Sequence, residues 1–159
     1  MVKYANTPKI YVRGNIGMEI KEANVEEIFE VKNIPEFTEM ASNKEALEAR
    51  YAGVSHCIFV AYENGLPIGY LIGYEVDRNT AYCWLAGVDM HYRKRGVLTG
   101  LMNAFEEWMR AHGYQVLTIK TRNNLVDMRR FLAKAGFNIT KVEEMPNAKD
   151  NRIYLEKEI

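Results

Sequence analysis

VDMHYRKRGVLTGLMNAFEEWM, from Val88 to Met109, reads as the end of a strand, a basic turn and an amphipathic helix. Val97, Leu98, Leu101, Met102, Phe105, Trp108 and Met109 recur at three- and four-residue steps, which lays them on one helical face. A helix start normally recruits Ser, Thr, Asp or Asn as its cap and acidic residues in its first turn. Here Arg93, Lys94 and Arg95 crowd the positive end of the helix dipole instead, each unfavourable by roughly 0.3–1 kcal/mol. An anion bound at the exposed amides reverses that sign and engages the side chains as well. Gly96 suits such a site, because backbone without a side chain approaches a ligand closely. The plainer reading is a solvated basic turn ahead of a core helix.

Working outward, Ala81 to Asp89 predicts the strand that feeds the turn, and Tyr114 to Thr121 the strand that follows the helix. Strand, turn, helix and strand make a crossover unit, whose anion site lies at the carboxyl end of the strand and the start of the helix. Asn123 or Asn124 then caps a last helix through Ala135, with Leu125, Met128, Phe131, Leu132 and Ala135 facing inward and Gly136-Phe137 closing it. Phe137 to Glu143 and Arg152 to Glu156 read as two final strands joined around Pro146-Asn147. Upstream, His56 to Tyr62 and Ile68 to Val76 read as strands joined by the tight-turn pair Asn64-Gly65. Gly69 and Gly73 share a strand face and leave room for something packed close. Met18 to Ala23 predicts the first strand, Asn24 caps a helix from Val25 to Asn33 that Pro35 stops, and Ser42 or Asn43 caps a second from Lys44 to Tyr51. Met1 to Gly17 is an extension that either adds an edge strand or packs across a single domain spanning residues 1–159.

The string V-x-x-x-x-R-x-x-G, carried by Val88, Arg93 and Gly96, resembles motif A of the GNAT superfamily of acyl-CoA-dependent N-acetyltransferases. The later run of Asn, helix and Gly136-Phe137 resembles the second signature of that family. The likeness covers roughly Met18 to Ile159. It implies an α/β (α+β) fold, with a mixed, mostly antiparallel sheet of about six to seven strands flanked by about four helices. It also implies acetyl-CoA as the acetyl donor. In the family the amides of this motif hold the coenzyme A pyrophosphate, which points to Arg93, Lys94, Arg95, Gly96, Val97, Leu98 and Thr99. Backbone near Val88 and Met90 is expected to pair with the pantetheine, and Asn124 to add a contact. Two positions depart from the family's pattern: Leu98 replaces its last small residue, with Gly100 two places later, and Met90 stands where a proline is common.

Composition excludes several other functions. Lys plus Arg and Asp plus Glu number 21 each, so no global charge recruits nucleic acid. Cys57 and Cys83 are too far apart for metal-ligand spacing and read as reduced core residues. His56, His91 and His112 are scattered, so no metal is expected. Neither a membrane-spanning run nor a signal peptide is evident, which leaves a cytoplasmic location and no membrane partner as the expectation.

The chemistry implied by the resemblance is direct attack of a primary amine, on a small molecule or a peptide, upon the thioester. An amine of pKa ~10.4 costs about 4.6 kcal/mol to neutralise at pH 7, and one near ~7.8 about 1 kcal/mol. The first leans harder on a general base. The strand where family members carry a glutamate reads Tyr82-Cys83-Trp84-Leu85 here. Glu36, in the loop that the resemblance assigns to the acceptor, and Tyr82 are the catalytic candidates. The tyrosine that protonates the leaving thiolate in the family falls at Phe131 or Leu132, neither of which donates a proton. Tyr82 and Trp84 either line an acceptor pocket or serve sheet packing. Glu106 and Glu107 are expected on the solvated face of the long helix. The alternatives are a non-catalytic acyl-CoA binding or sensing module, and a polyanion-binding turn without coenzyme A chemistry. A homodimer is compatible with the family by analogy.

Overall fold

The computed structural model of the protein describes residues 10–11, 18–36 and 43–159. Among these residues, eight strands form one sheet in the order β1-β2-β3-β4-β5-β6-β8-β7. They are β1 Ile10–Tyr11, β2 Met18–Glu22, β3 His56–Glu63, β4 Leu66–Glu75, β5 Thr80–Val88, β6 Val116–Arg122, β7 Asn138–Glu143 and β8 Arg152–Glu158. The helices among the described residues are α1 Val25–Ile28, α2 Lys44–Tyr51, α3 Val97–His112 and α4 Val126–Lys134. Pairing is antiparallel for β1–β2, β2–β3, β6–β8 and β7–β8, and parallel for β5–β6. The expected mixed, mostly antiparallel architecture is thus present. Contacts divide the chain into two units, Met1–Ile72 with Leu85–Phe105 and Gly73–Trp84 with Glu106–Ile159.

In the first unit, Asn24 accepts from the Glu27 amide at 3.3 Å and the Glu27 carboxylate accepts from the Asn24 amide at 3.5 Å. That capping box opens α1 as expected, but the helix is shorter than the run to Asn33. The Glu30 and Val31 amides bond only three residues back, a tightening that ends helices, and Asn33 turns to φ +58°. Pro35 further disfavours helical backbone at Ile34. Asn43 caps α2 by accepting from the Ala46 amide at 3.1 Å; Ser42, the other candidate cap, lies outside the described residues. From the N-terminal extension, Ile10 and Tyr11 pair with Lys21 and Ile20 as an edge strand. Asn64 and Gly65 take φ +50° and +81°, the mirror-image turn that suits a two-residue hairpin.

The neighbour anticipated beside Gly69 is α3. A β-carbon there would fall 3.0 Å from Val97 Cγ1 and 3.2 Å from Leu101 Cδ1. At Gly100 it would fall 2.5 Å from Ile20 Cδ1. Gly100 is therefore a packing residue where α3 crosses β2. Ile20, Phe59, Leu71, Leu101 and Phe105 are buried in this half of the core.

In the second unit, side chains alternate in and out. Ala81, Cys83, Leu117, Ile119, Ile153 and Leu155 are buried, while Tyr82, Trp84, Thr118 and Tyr154 are half-buried and Lys120 is exposed. Cys57 and Cys83 are both buried and unpaired with each other. Two expectations fail here. Glu106 is buried, not solvated like exposed Glu107. Lys157 Nζ, on β8, meets its carboxylate at 2.7 Å as an ion pair without a well-directed hydrogen bond, and that partner is what lets a carboxylate sit on the covered face. Neither Asn123 nor Asn124 caps α4. The cap is Leu125, with no side-chain bond. Asn123 instead donates from Nδ2 to Ala148 O at 3.1 Å, and its amide donates to Asn151 O. No helix among the described residues is long and apolar enough to cross a membrane.

Candidate active site

β5 ends at Val88, one residue earlier than expected, because Asp89 turns the chain. Its carboxylate accepts from the His91 amide at 2.9 Å and from Asn33 Nδ2 at 3.1 Å, and its own amide donates to Ile68 O at 2.8 Å. Asp89 is only 5% exposed, so these bonds replace the water that the carboxylate loses. A single 3-10 turn, Met90–Tyr92, follows. Met90 therefore does not extend the strand. Its amide donates to Asn33 O at 3.0 Å, and its side chain is exposed.

The basic turn comes next. Arg93 Nε donates to Val88 O at 3.1 Å, and its two terminal nitrogens donate to the two Glu36 oxygens, both at 2.7 Å. The sequence nominated Glu36 and Arg93 for different roles, and the structure brings them together. The Arg93 guanidinium holds the Glu36 carboxyl below the usual carboxylate range, chiefly through these hydrogen bonds. Arg95 sits 5.1 Å over the Tyr92 ring and 3.6 Å from Glu63. Lys94 and Gly96 adopt φ +60° and +81°. A β-carbon on Gly96 would meet nothing within 4 Å, so the backbone conformation, rather than crowding by the protein, calls for glycine there.

α3 then begins without an acidic residue in its first turn. The Gly100 amide makes the first helical bond, to Gly96 O at 3.0 Å. The amides of Val97, Leu98 and Thr99 precede it, as first-turn amides that find no acceptor within a helix. Val97 is buried, Leu98 half-buried and Thr99 exposed, so the substitution at Leu98 turns its bulk partly inward. Cationic side chains and orphan amides at one helix start form an arrangement that binds phosphate groups.

The remaining nominated residues lie in the second unit. Tyr82 meets Tyr74 edge-on at 5.5 Å, and Lys120 Nζ lies 5.7 Å from its ring centre. Asn124 is exposed, and its amide donates to Lys149 O at 2.9 Å. The β5–β6 ladder stops at Cys83 and Ile119, whereas β5 runs on to Val88. At the position of the family's acid, Phe131 is half-buried and Leu132 fully buried. The roles of Asn33 and Asp89 were not read from the sequence. The only local signal was an Asn directly ahead of Ile34-Pro35, a residue type that tolerates left-handed backbone.

The sequence model of the acetyltransferase (GNAT) family matches residues 19–137. No curated protein matches the chain. Among solved structures, Ard1 from Thermoplasma volcanium is similar at 21% identity and a TM-score of 0.76, over 91% of this chain and 99% of that one. A GNAT family acetyltransferase from Elizabethkingia anophelis, solved with acetyl-CoA bound, aligns at 20% identity and a TM-score of 0.69, over 91% and 100%. The ribosomal-protein-S18-alanine N-acetyltransferase from Escherichia coli aligns at 16% identity and a TM-score of 0.74, over 89% and 94%. At these identities the structural likeness speaks for the fold, and the family match, which spans most of the sequence, speaks for descent. The chain belongs to the acetyltransferase (GNAT) family and is an acetyl-CoA-dependent acetyltransferase.

Proposed function

We propose that the protein moves the acetyl group of acetyl-CoA to a primary amine by direct attack in a ternary complex. The observation that carries the reading is the start of α3, where first-turn amides and the cations Lys94 and Arg95 converge with no acidic residue in the first turn. In this reading the amides from Gly96 to Thr99 take the pyrophosphate. The β5 backbone leading to Val88, beyond the end of its ladder with β6, takes the pantetheine as an added strand. Met90 contributes through its side chain or carbonyl, since its amide is already bonded to Asn33. Asn124 is a further contact. Cys57 and Cys83, buried one in each unit and not joined by a disulfide, suit the reducing cytoplasm.

The neutral amine attacks the thioester carbon, a β5 amide stabilises the oxyanion, and the tetrahedral adduct expels coenzyme A as a thiolate. The amine's proton leaves to a base, and the thiolate, with a thiol pKa of ~8.5, is a fair leaving group even without a dedicated acid. Neither base candidate is well poised. Glu36 is tied to Arg93 through both carboxylate oxygens, and the Tyr82 ring packs edge-on against Tyr74. An acceptor of low pKa, such as an α-amine, needs the least help to lose its proton. The same features favour the second reading, an acyl-CoA binding or sensing module without turnover.

Thermal unfolding with acetyl-CoA tests the donor site. At a hundredfold excess over Kd, binding adds about 2.7 kcal/mol, or roughly 5–10 °C for a domain of this size. The expected result is a shift in the parent that Gly96→Trp loses; no shift in the parent sinks the reading. Release of free coenzyme A thiol across a panel of peptide and small-molecule amines then separates enzyme from sensor. Phe131→Tyr adds an acid at an accessible position, whereas a tyrosine at fully buried Leu132 would perturb the core instead. If thiolate protonation limits turnover, kcat rises in Phe131→Tyr.

A further inference from the structure

Among the described residues, carboxylates from distant sequence meet two of the cations before α3: Glu36 meets Arg93 and Glu63 meets Arg95. The first pair is the tighter, with both arms at 2.7 Å against a single 3.6 Å contact. A bidentate fork onto a carboxylate is also the geometry with which arginine holds phosphate. Glu36 therefore occupies the atoms of Arg93 that a phosphate oxygen would use. The same contact closes the loop from Asn33 to Glu36 onto the turn. It stands beside two bonds of another kind, Asn33 Nδ2 to Asp89 and the Met90 amide to Asn33 O. Asp89 is buried, whereas the Arg93 and Glu36 side chains are each 38% exposed. One attachment is sequestered, and the other is open to a competing anion.

We propose that Glu36 is an internal competitor of the donor: an anionic donor at the turn takes over the Arg93 fork, and Glu36 is released from it. The proposal rests on the reading of this turn as the pyrophosphate site. It makes Arg93 the coupling between the two substrates. Donor binding frees a carboxylate at the start of the loop assigned to the acceptor. Asn33 keeps the base of that loop in place while its far end lets go. The competition weakens donor binding, because only molecules with an open fork are fully competent. An exposed ion pair closes weakly, so the effect is modest.

The test is the affinity for acetyl-CoA, measured by calorimetry at low salt, in the parent, Glu36→Gln, Arg93→Gln and the double variant. Glu36→Gln is expected to bind acetyl-CoA about two- to sixfold more tightly, from the strength of an exposed pair. In the Arg93→Gln background the same substitution should change nothing. A second arm needs no variant: hydrogen exchange across residues 33–36 of the parent should rise when acetyl-CoA is added. Unchanged affinity in Glu36→Gln overturns the proposal. So does an equal gain in the Arg93→Gln background, which reports only the removal of a negative charge near an anion. A parent that fails to bind acetyl-CoA removes the donor-site reading itself, a result separate from either.

Discussion

Gly96 and Gly100 stand four residues apart and are glycine for different physical reasons. At Gly96 there is open space above the backbone but φ is +81°. Gly96→Ala should therefore cost about 1–2 kcal/mol through backbone strain, and should weaken acetyl-CoA binding by distorting the turn. At Gly100 the obstacle is Ile20 Cδ1. Gly100→Ala should cost about 1–3 kcal/mol through overpacking and leave donor affinity intact in the folded protein. Urea unfolding separates the two. The Gly100→Ala penalty should shrink in an Ile20→Val background, which removes the obstructing methyl, while the Gly96→Ala penalty should not. Equal penalties for Gly100→Ala in both backgrounds would remove the packing explanation. Glu36 makes a pH prediction at the same scale. Its carboxyl is depressed from an ordinary 4.5 by Arg93, so the pair's contribution is present above the unfolded value and is lost as pH falls through the lower folded one. The stability gap between parent and Glu36→Gln should be constant near neutrality and narrow below about pH 4.5. It should also be small, since the pair is exposed. A gap that widens in acid would contradict the assigned sign.

The turn between β5 and α3 depends on a loop more than fifty residues upstream, as the separation of Asn33 and Asp89 shows. Asp89→Ala strands two donors, Asn33 Nδ2 and the His91 amide, and should cost about 1–3 kcal/mol by urea unfolding. Asn33→Gly keeps the left-handed backbone and loses only the side-chain bond, so it should be milder than Asn33→Ala, which also strains φ. The reverse order would mean that Asn33 is chosen for neither reason. This dependence explains what was legible in the sequence. The Asn24 and Asn43 caps and the Asn64-Gly65 turn act within a few residues, so local chemistry revealed them. The face of α3 was legible because the apolar period coincides with burial at Val97, Leu101, Met102, Phe105, Trp108 and Met109. The pairing of Arg93 with Glu36, the burial of Glu106 against Lys157 and the diversion of Asn123 to the β7–β8 loop depend on partners brought close only by the fold. Motif A singled out the turn proposed for the donor, while the engagement of its arginine by Glu36 depends on a loop that only the fold brings near.

At the scale of the whole chain, three elements run through both units: β4 crosses the division at Ile72 and Gly73, β5 at Trp84 and Leu85, and α3 at Phe105 and Glu106. A helix or strand cannot lose its second half without fraying the first, because each retained residue would give up ladder or helical bonds at the break. The chain should accordingly unfold as one cooperative domain even though its contacts cluster in two. The cysteines provide a probe for each part: Cys57 lies in the first unit and Cys83 in the second, both buried. Burial pushes the Cys83 thiol up to about 12, so almost none of it is thiolate at neutral pH and reaction requires unfolding. Short maleimide pulses across a urea series, read by peptide mass, should label Cys57 and Cys83 with one shared midpoint. That midpoint should coincide with loss of helical circular dichroism, and acetyl-CoA should move all three to higher urea together. Labelling of Cys83 at lower urea than Cys57, or a shift with acetyl-CoA confined to Cys57, would mean that the second unit opens by itself. The continuity of β4, β5 and α3 would then be too weak to make one domain.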